Sequence, residues 1–302
     1  MMWEGLRLMM KRFLGLVLVF CLVYTQAAGE SLCDPDKLLP AGEEAVITET
    51  SYKSPNISIE ITAQRVLNAD IYVADIYVRS IDCFQRALSH DKWKAGSQKI
   101  NVIAKEHEGI LVMTGDSSEN LSVGMVMVNG KIIRKTKNRK RDLGLIYRSG
   151  EMVTIPAADV NLEEILAAAD DLWQVFLFGP ALLDKEGKAM TAFSSDVKPK
   201  NPRSVIGYYA PGHYCFVQVD GRNTPSKLEK GKKNKGLTLN ELSEFMESLG
   251  CAAAYNLDGG QSSILYFNGG IYSSPYNNGR KLGDVVLIRE PVPAEPEAAS
   301  TP

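Results

Sequence analysis

Histidine, cysteine and net charge are all scarce in this chain. Its 302 residues include three histidines (His90, His107, His213) and five cysteines. His213 follows a Pro211-Gly212 turn, where a lone histidine is more often incidental than catalytic, so a Ser-His-Asp relay has little to rest on. No CxxC pair or Cys/His ligand spacing occurs, which argues against a zinc site. Neither a Walker-type loop nor a dinucleotide-binding glycine loop is present. The formal net charge is −2, which gives no electrostatic footprint for nucleic acid. No period of the solenoid or propeller kind repeats. The remaining composition, 45% hydrophobic and 23% charged, excludes a disordered, collagen-like or multispan chain.

The two ends differ from the middle. Lys11-Arg12 precede twelve apolar residues at 13–24, and Thr25-Gln26-Ala27-Ala28 follow. A basic flank, a short apolar run and small residues predict a secretory signal peptide over 1–28. An uncleaved N-terminal anchor is the alternative, although a spanning helix needs roughly 20 apolar residues. Residues 29–60 are polar with scattered proline and read as a linker or lead-in. Residues 291–302 carry prolines every few positions and read as a disordered tail. Residues 61–290 are left as a single domain. Export would leave Cys33, Cys83, Cys215 and Cys251, with three pairings open if all are bridged. Cys215 and Cys251 lie in apolar runs and read as buried thiols.

Within the domain, strand signals outnumber helix signals. Residues 57–62 alternate with period two, and 71–78 form a β-branched and aromatic run. Residues 101–104, 109–113 and 123–128 also read as strands, and 82–88 as a short helix. Asn129-Gly130 predicts a tight hairpin, and Ser149-Gly150 a second. Asn161 can cap a helix starting at Leu162. Thr238-Leu239-Asn240-Glu241 has capping-box spacing ahead of a helix that Gly250 stops. Hairpins outnumber βαβ units, so the expected fold class is α+β, with a mixed, largely antiparallel sheet and packed helices.

The densest chemistry lies at Asn256-Leu257-Asp258-Gly259-Gly260-Gln261-Ser262-Ser263. An apolar approach ends in a carboxylate, then two glycines and two hydroxyls. Glycines let backbone approach a ligand closely. Successive N–H groups of such a turn can cradle an anion, with Ser262 and Ser263 adding donors. Asp258 stands where it could exchange a proton with a leaving group. The plainer reading is a tight turn whose Asp caps its own backbone. Arg203 and Arg222 each sit at the end of a strand-like run, and a guanidinium fork suits phosphate oxygens. Asp116 and Asp220 repeat the theme of a carboxylate beside glycine at a strand end. Residues 131–141 contain seven basic residues and no acidic one. Such a run could contact an anionic polymer, though a solvated loop is the commoner explanation.

These residues resemble the phosphodiester glycosidase family. The matching stretches are Thr114-Gly115-Asp116, Val128-Asn129-Gly130-Lys131, Phe178-Gly179-Pro180-Ala181-Leu182, Asn201-Pro202-Arg203-Ser204, Val219-Asp220-Gly221-Arg222 and Asn256-Leu257-Asp258-Gly259-Gly260. The likeness is greater to the secreted, exopolysaccharide-associated bacterial branch. Two departures stand out: Gln261 replaces the family's third glycine, and Ser117-Ser118 stand where bacterial relatives tend to carry aromatics. The resemblance implies a hydrolase that cleaves the C1–O bond of a sugar-1-phosphodiester, of the N-acetylglucosamine kind. It implies Asp258 and Asp116 as acid and base, with Asp220 a second choice. Phosphate and substrate contacts would come from Arg203, Arg222, Gly259, Gly260, Ser262, Ser263 and Asn256. Such hydrolysis needs no cofactor and no metal, although carboxylate-rich loops could hold calcium. The partners would be a glycan or sugar phosphate, not nucleic acid, with membrane contact only through the N-terminal segment. A non-catalytic binder of envelope glycan or anionic polymer on the same fold is the alternative.

Overall fold

Alternation of buried and exposed positions explains the first long hairpin. Ile57, Ile59 and Ile61 are buried while Glu60 and Thr62 face out, the period of a strand covered on one face. This strand, Ile57–Val66, pairs along its length with Ala69–Val78. Leu67 and Asn68 turn between them with positive φ (48° and 65°), the twist that two-residue hairpins require. The computed structural model describes residues 31–193, 195 and 197–292. The expected signal peptide or anchor at 1–28 lies outside the described residues, as does the expected tail from 293 on.

Three large sheets and a two-stranded ribbon, Thr224–Pro225 with Lys233–Asn234, organise the described part of the unit that runs from Leu32 onward. The seven-stranded sheet has the order Val46–Ile47, Ser51–Lys53, Ile57–Val66, Ala69–Val78, His213–Val219, Arg203–Ala210, Ala253–Asn256. A five-stranded sheet runs Met152–Ile155, Leu143–Tyr147, Leu172–Phe176, Met125–Val128, Lys131–Lys135. The other runs Gly270–Ile271, Leu265–Phe267, Leu111–Thr114, Asp284–Ile288, Phe84–Leu88. Every strand pairing among the described residues is antiparallel. Among the described residues three α-helices accompany them: α1 (Ile100–Glu106), α2 (Leu162–Ala167) and α3 (Leu239–Ser248). The fold is thus mostly β, with less helix than the α+β reading implied.

The central strands are covered on both faces, which accounts for their unbroken apolar character. Ile206, Tyr214 and Phe216 join the core with Phe84, Phe176 and Tyr255. Val205, Cys215 and Val217 face the other way, against Leu239, Leu242 and Met246 of α3. Cys215 and Cys251 are buried thiols with sulfurs 3.9 Å apart. Thr238 and Glu241 close the capping box on α3 reciprocally, a contribution of about 1 kcal/mol. Gly250 follows at φ 78°. The hairpin turn at Asn129-Gly130 has both residues at positive φ (48° and 74°), and Asn161 caps α2.

Three local readings are corrected. Residues 101–104 belong to α1 rather than a strand, because Ile100, Ile103 and Ala104 are the buried positions; that spacing is helical, and a four-residue window hides it. Residues 82–88 are not a helix: after one 3-10 turn, Ile81–Cys83, the chain becomes the edge strand Phe84–Leu88. The 29–60 lead-in contributes strands Val46–Ile47 and Ser51–Lys53. It is also tied to the far end of the chain through Glu290, which accepts from Tyr52, Ser54 and Asn56. Polar side chains outside a sheet face do not prevent a strand from pairing through its backbone.

Candidate active site

Antiparallel register brings the chemistry-bearing segments together. Val205 is opposite Asn256, and the pairing continues one step further, where Leu257 N–H donates to Ser204 carbonyl (2.8 Å). Arg203 and Asp258, at the ends of neighbouring strands, therefore line one cavity. Arg222 arrives from the turn after His213–Val219, and Arg280 from the loop before Asp284–Ile288. Arg280 N–H is fixed to Gln261 carbonyl (3.1 Å). The result is a cavity of about 280 Å³ whose wall includes Arg203, Arg222, Arg280, Asp258, Asn256 and Gln261.

Asp258 is nearly buried, 7% exposed. One carboxylate oxygen, Oδ2, accepts from Ser117 Oγ (2.8 Å), Ser262 Oγ (2.6 Å) and Arg280 Nη2 (2.6 Å). The other, Oδ1, accepts only Gly259 N–H (2.9 Å) among the described residues. Three donors on one oxygen fix the carboxylate's orientation and leave Oδ1 with acceptor capacity.

The three arginines differ in freedom. Arg203 is buried, with Nε on Leu237 carbonyl and Nη2 on the carbonyls of Val197 and Pro199. Desolvation lowers its pKa to about 10. Its Nη1 has no protein acceptor among the described residues. Arg222 is exposed, donates through Nε to Asn201 Oδ1 (3.2 Å), and lies 5.3 Å from the Tyr276 ring. The Arg280 side chain is 50% exposed. Three cations around one carboxylate give the cavity a positive field.

The glycines serve close approach. A Cβ at Gly259 would lie 2.7 Å from Pro202 carbonyl oxygen, and one at Gly260, φ 65°, 2.7 Å from Arg222 Nη2. The turn's N–H groups are otherwise than expected. Those of Gly259, Gly260, Ser262 and Ser263 bond to Asp258, Pro202, Gly259 and Gly260. An open backbone cradle is therefore absent at these four positions, because the turn itself and the Pro202 carbonyl satisfy these donors. Asn256 Nδ2 donates to Gly179 carbonyl, while its Oδ1 is buried without a hydrogen-bond partner. Ser263 Oγ lies behind the wall, 3.2 Å from Ser204 Oγ.

Asp116 and Asp220 do not reach the cavity wall. Asp116 is fully buried, accepts the N–H groups of Leu177 and Phe178, and lies 3.5 Å from Arg86 Nη2. Burial raises its pKa. Asp220, 1% exposed, accepts Ser274 N–H on both oxygens. Its pKa is pushed up to about 7, chiefly by desolvation. Among the described residues no group of three or more His, Cys, Asp or Glu is placed to hold a metal ion. No helix among them is long and apolar enough to cross a membrane.

A family model described as phosphodiester glycosidase matches residues 101–289. The chain belongs to this family. Mouse N-acetylglucosamine-1-phosphodiester α-N-acetylglucosaminidase is 24% identical over 192 residues, which is 56% of this chain and 35% of that protein. The match thus spans about a third of the mouse relative. The catalytic domain of the zebrafish protein of the same name, auto-inhibited by its pro-peptide, superposes with a TM-score of 0.61 at 16% identity. That likeness covers 78% of this chain and 84% of the zebrafish one. A hypothetical protein from Synechocystis gives 0.57 at 13% identity, over 78% and 63% of the two chains. At these identities the structures show a common fold.

Within this family member, three site residues escaped the sequence reading. Arg280 follows Asn277-Asn278-Gly279, a turn of the kind that precedes Arg222, and a search for arginines after strand-connecting turns would have found it. Ser117 stands out in the sequence only as a departure from the family pattern, yet its hydroxyl reaches Asp258. Phe178 lines the cavity on a matched stretch, but nothing in its neighbours marks it as a wall.

Proposed function

We propose that the chain hydrolyses a sugar-1-phosphodiester, of the N-acetylglucosamine kind, at the anomeric C–O bond. The observation that carries this is the single oriented carboxylate, Asp258, inside a ring of Arg203, Arg222 and Arg280. The arginines would hold the phosphodiester and stabilise charge as the C1–O bond breaks. A phosphate so countered leaves without a separate acid, which fits a cavity with one carboxylate among its described residues. Water then adds to the oxocarbenium-like carbon, and Asp258 Oδ1, the less encumbered oxygen, takes its proton. The products are a free sugar and a phosphomonoester. The apolar 13–24 leader supports export, and an envelope or exopolysaccharide glycan is the proposed source of substrate.

Release of N-acetylglucosamine from its 1-phosphodiester tests the reading. Full activity in Asp258→Asn would remove Asp258 from the mechanism, and no turnover by the wild-type chain would sink the reaction itself. Gln261 favours a second reading as a non-catalytic binder, because its side chain makes no hydrogen bond among the described residues and occupies the wall where the family carries glycine. Turnover gained by Gln261→Gly from an inactive protein would establish that second reading.

A further inference from the structure

The larger cavity is elsewhere. A cleft of about 540 Å³ opens between two sheet edges, the strand Phe84–Leu88 of one sheet and Lys131–Lys135 of another. It shares no residue with the cavity around Asp258. Its floor and walls are apolar at Leu88, Val128, Ile133 and Leu287, and Trp93 stands at the side with the Arg134 guanidinium 5.8 Å from its ring centroid.

The charge lining this cleft is unbalanced. Arg86 is neutralised within the core by Asp284 and Asp116. Lys92 and Lys131 make no side-chain hydrogen bond or ion pair among the described residues, and Arg289 adds a third positive group at the wall. Arg289 is oriented by the carbonyls of Glu290 and His107. Against them stands Asp91, whose carboxylate is 3.3 Å from His107 Nε2. Lys131 opens the basic run at 131–141 that stood out in the sequence. Two later members of that run are used internally: Arg134 donates to Gly124 carbonyl and Arg141 to Phe178 carbonyl.

A peptide strand could not add to the Phe84–Leu88 edge. The Phe84 carbonyl already accepts Trp173 Nε1, and the Arg86 N–H and carbonyl are both taken by the Asn129 side-chain amide. Recognition along that edge must therefore run through side chains, and those lining the cleft include one indole, apolar patches, unpaired ammonium groups and the Arg289 guanidinium. An indole presents a flat amphipathic surface, and the ammonium groups suit carboxylate or phosphate substituents.

We infer that this cleft is a second ligand site, for an anionic carbohydrate chain whose ring lies by Trp93 and whose acidic groups meet Lys92, Lys131 and Arg289. It would retain a polymer while the Asp258 cavity acts on its substrate. The binding claim does not depend on the proposed hydrolysis, because it is read without turnover.

Affinity electrophoresis of the full chain through alginate, a polyuronate, tests it, with neutral dextran as control. The wild-type chain is expected to be retarded by alginate but not by dextran, with the effect lost at high salt as exposed charge contacts are screened. Paired Lys92→Glu and Lys131→Glu changes should weaken retention by about tenfold or more. Trp93→Ala should weaken it as well, with melting temperature and small-substrate turnover unchanged in the lysine variant. No retardation of the wild type at low salt would overturn the inference. Undiminished retention of the lysine variant would do the same. Polyglutamate or duplex DNA bound as tightly as alginate, with Trp93→Ala without effect, would assign the cleft to generic anions and overturn the carbohydrate.

Discussion

Asp258 and Asp116 have nearly the same local sequence, a carboxylate next to glycine at the end of an apolar strand, and meet opposite fates. Asp258 lies in a cavity ringed by arginines, with one oxygen open to a ligand. Asp116 is sealed in the core, where backbone N–H groups and Arg86 satisfy it. Asp220 follows Asp116, held by Ser274 N–H beneath the surface. The comparison separates two uses of a carboxylate in one fold. A buried one fully bonded to the protein positions loops, and one with an acceptor position facing a positive cavity can do chemistry.

The largest test falls on Asp116. Asp116→Ala leaves the buried Arg86 with Asp284 as its one charged partner among the described residues and strands the N–H groups of Leu177 and Phe178. A loss of about 3–5 kcal/mol is expected, a fall of roughly 10 °C in melting temperature for a domain of this size. Calorimetry checks it, and a change under about 2 °C would break the comparison. Asp258→Asn should show the converse pattern, with sugar release from a 1-phosphodiester reduced by about 10²–10⁴-fold and melting within a few degrees of wild type.

Asp220 sharpens the contrast through pH. Its pKa is raised from 3.8 to about 7 by burial, so the folded chain holds this proton longer than the unfolded one. The stabilisation is complete below the unfolded pKa and is lost as pH rises through the folded value, so stability falls between about pH 4 and 7. The full effect is at most roughly 4 kcal/mol at one pKa unit per 1.4 kcal/mol. Asp220→Asn should flatten that part of the profile in melts at pH 4.5 and 7.5, and an unchanged slope would count against the assignment. The smallest effect is expected at Arg222, whose exposed guanidinium makes one hydrogen bond. Arg222→Ala should raise KM by about tenfold without moving the melting temperature. A kcat loss with KM unchanged would place Arg222 in the transition state alone.

Much of this was legible from local patterns. The hairpin at Asn129-Gly130, the caps at Asn161 and Thr238, and the alternation at 57–62 are decided by residues adjacent in sequence. The Asp258-Gly259-Gly260 turn and the two arginines at strand ends were visible for the same reason. Two of the three misread segments are those where a long-range partner chose between local options. Residues 82–88 form a strand because Asp284–Ile288 offers an edge to pair with. Residues 46–53 do so because the Ile57–Val66 edge is available.

The sequence alone determined the turns, the caps, the family resemblance and which residue types could serve phosphate chemistry, since each depends on neighbours within a few positions. It also singled out the basic run at 131–141, but not which members are free. Tertiary structure decided which of three similar carboxylates lines a cavity with the arginines, that Arg280 joins them, that four of the turn's N–H groups are occupied, and that Lys131 faces a cleft with Lys92. Those outcomes depend on sheet register between segments far apart in the chain, and register follows from the packing of whole faces rather than from any local motif.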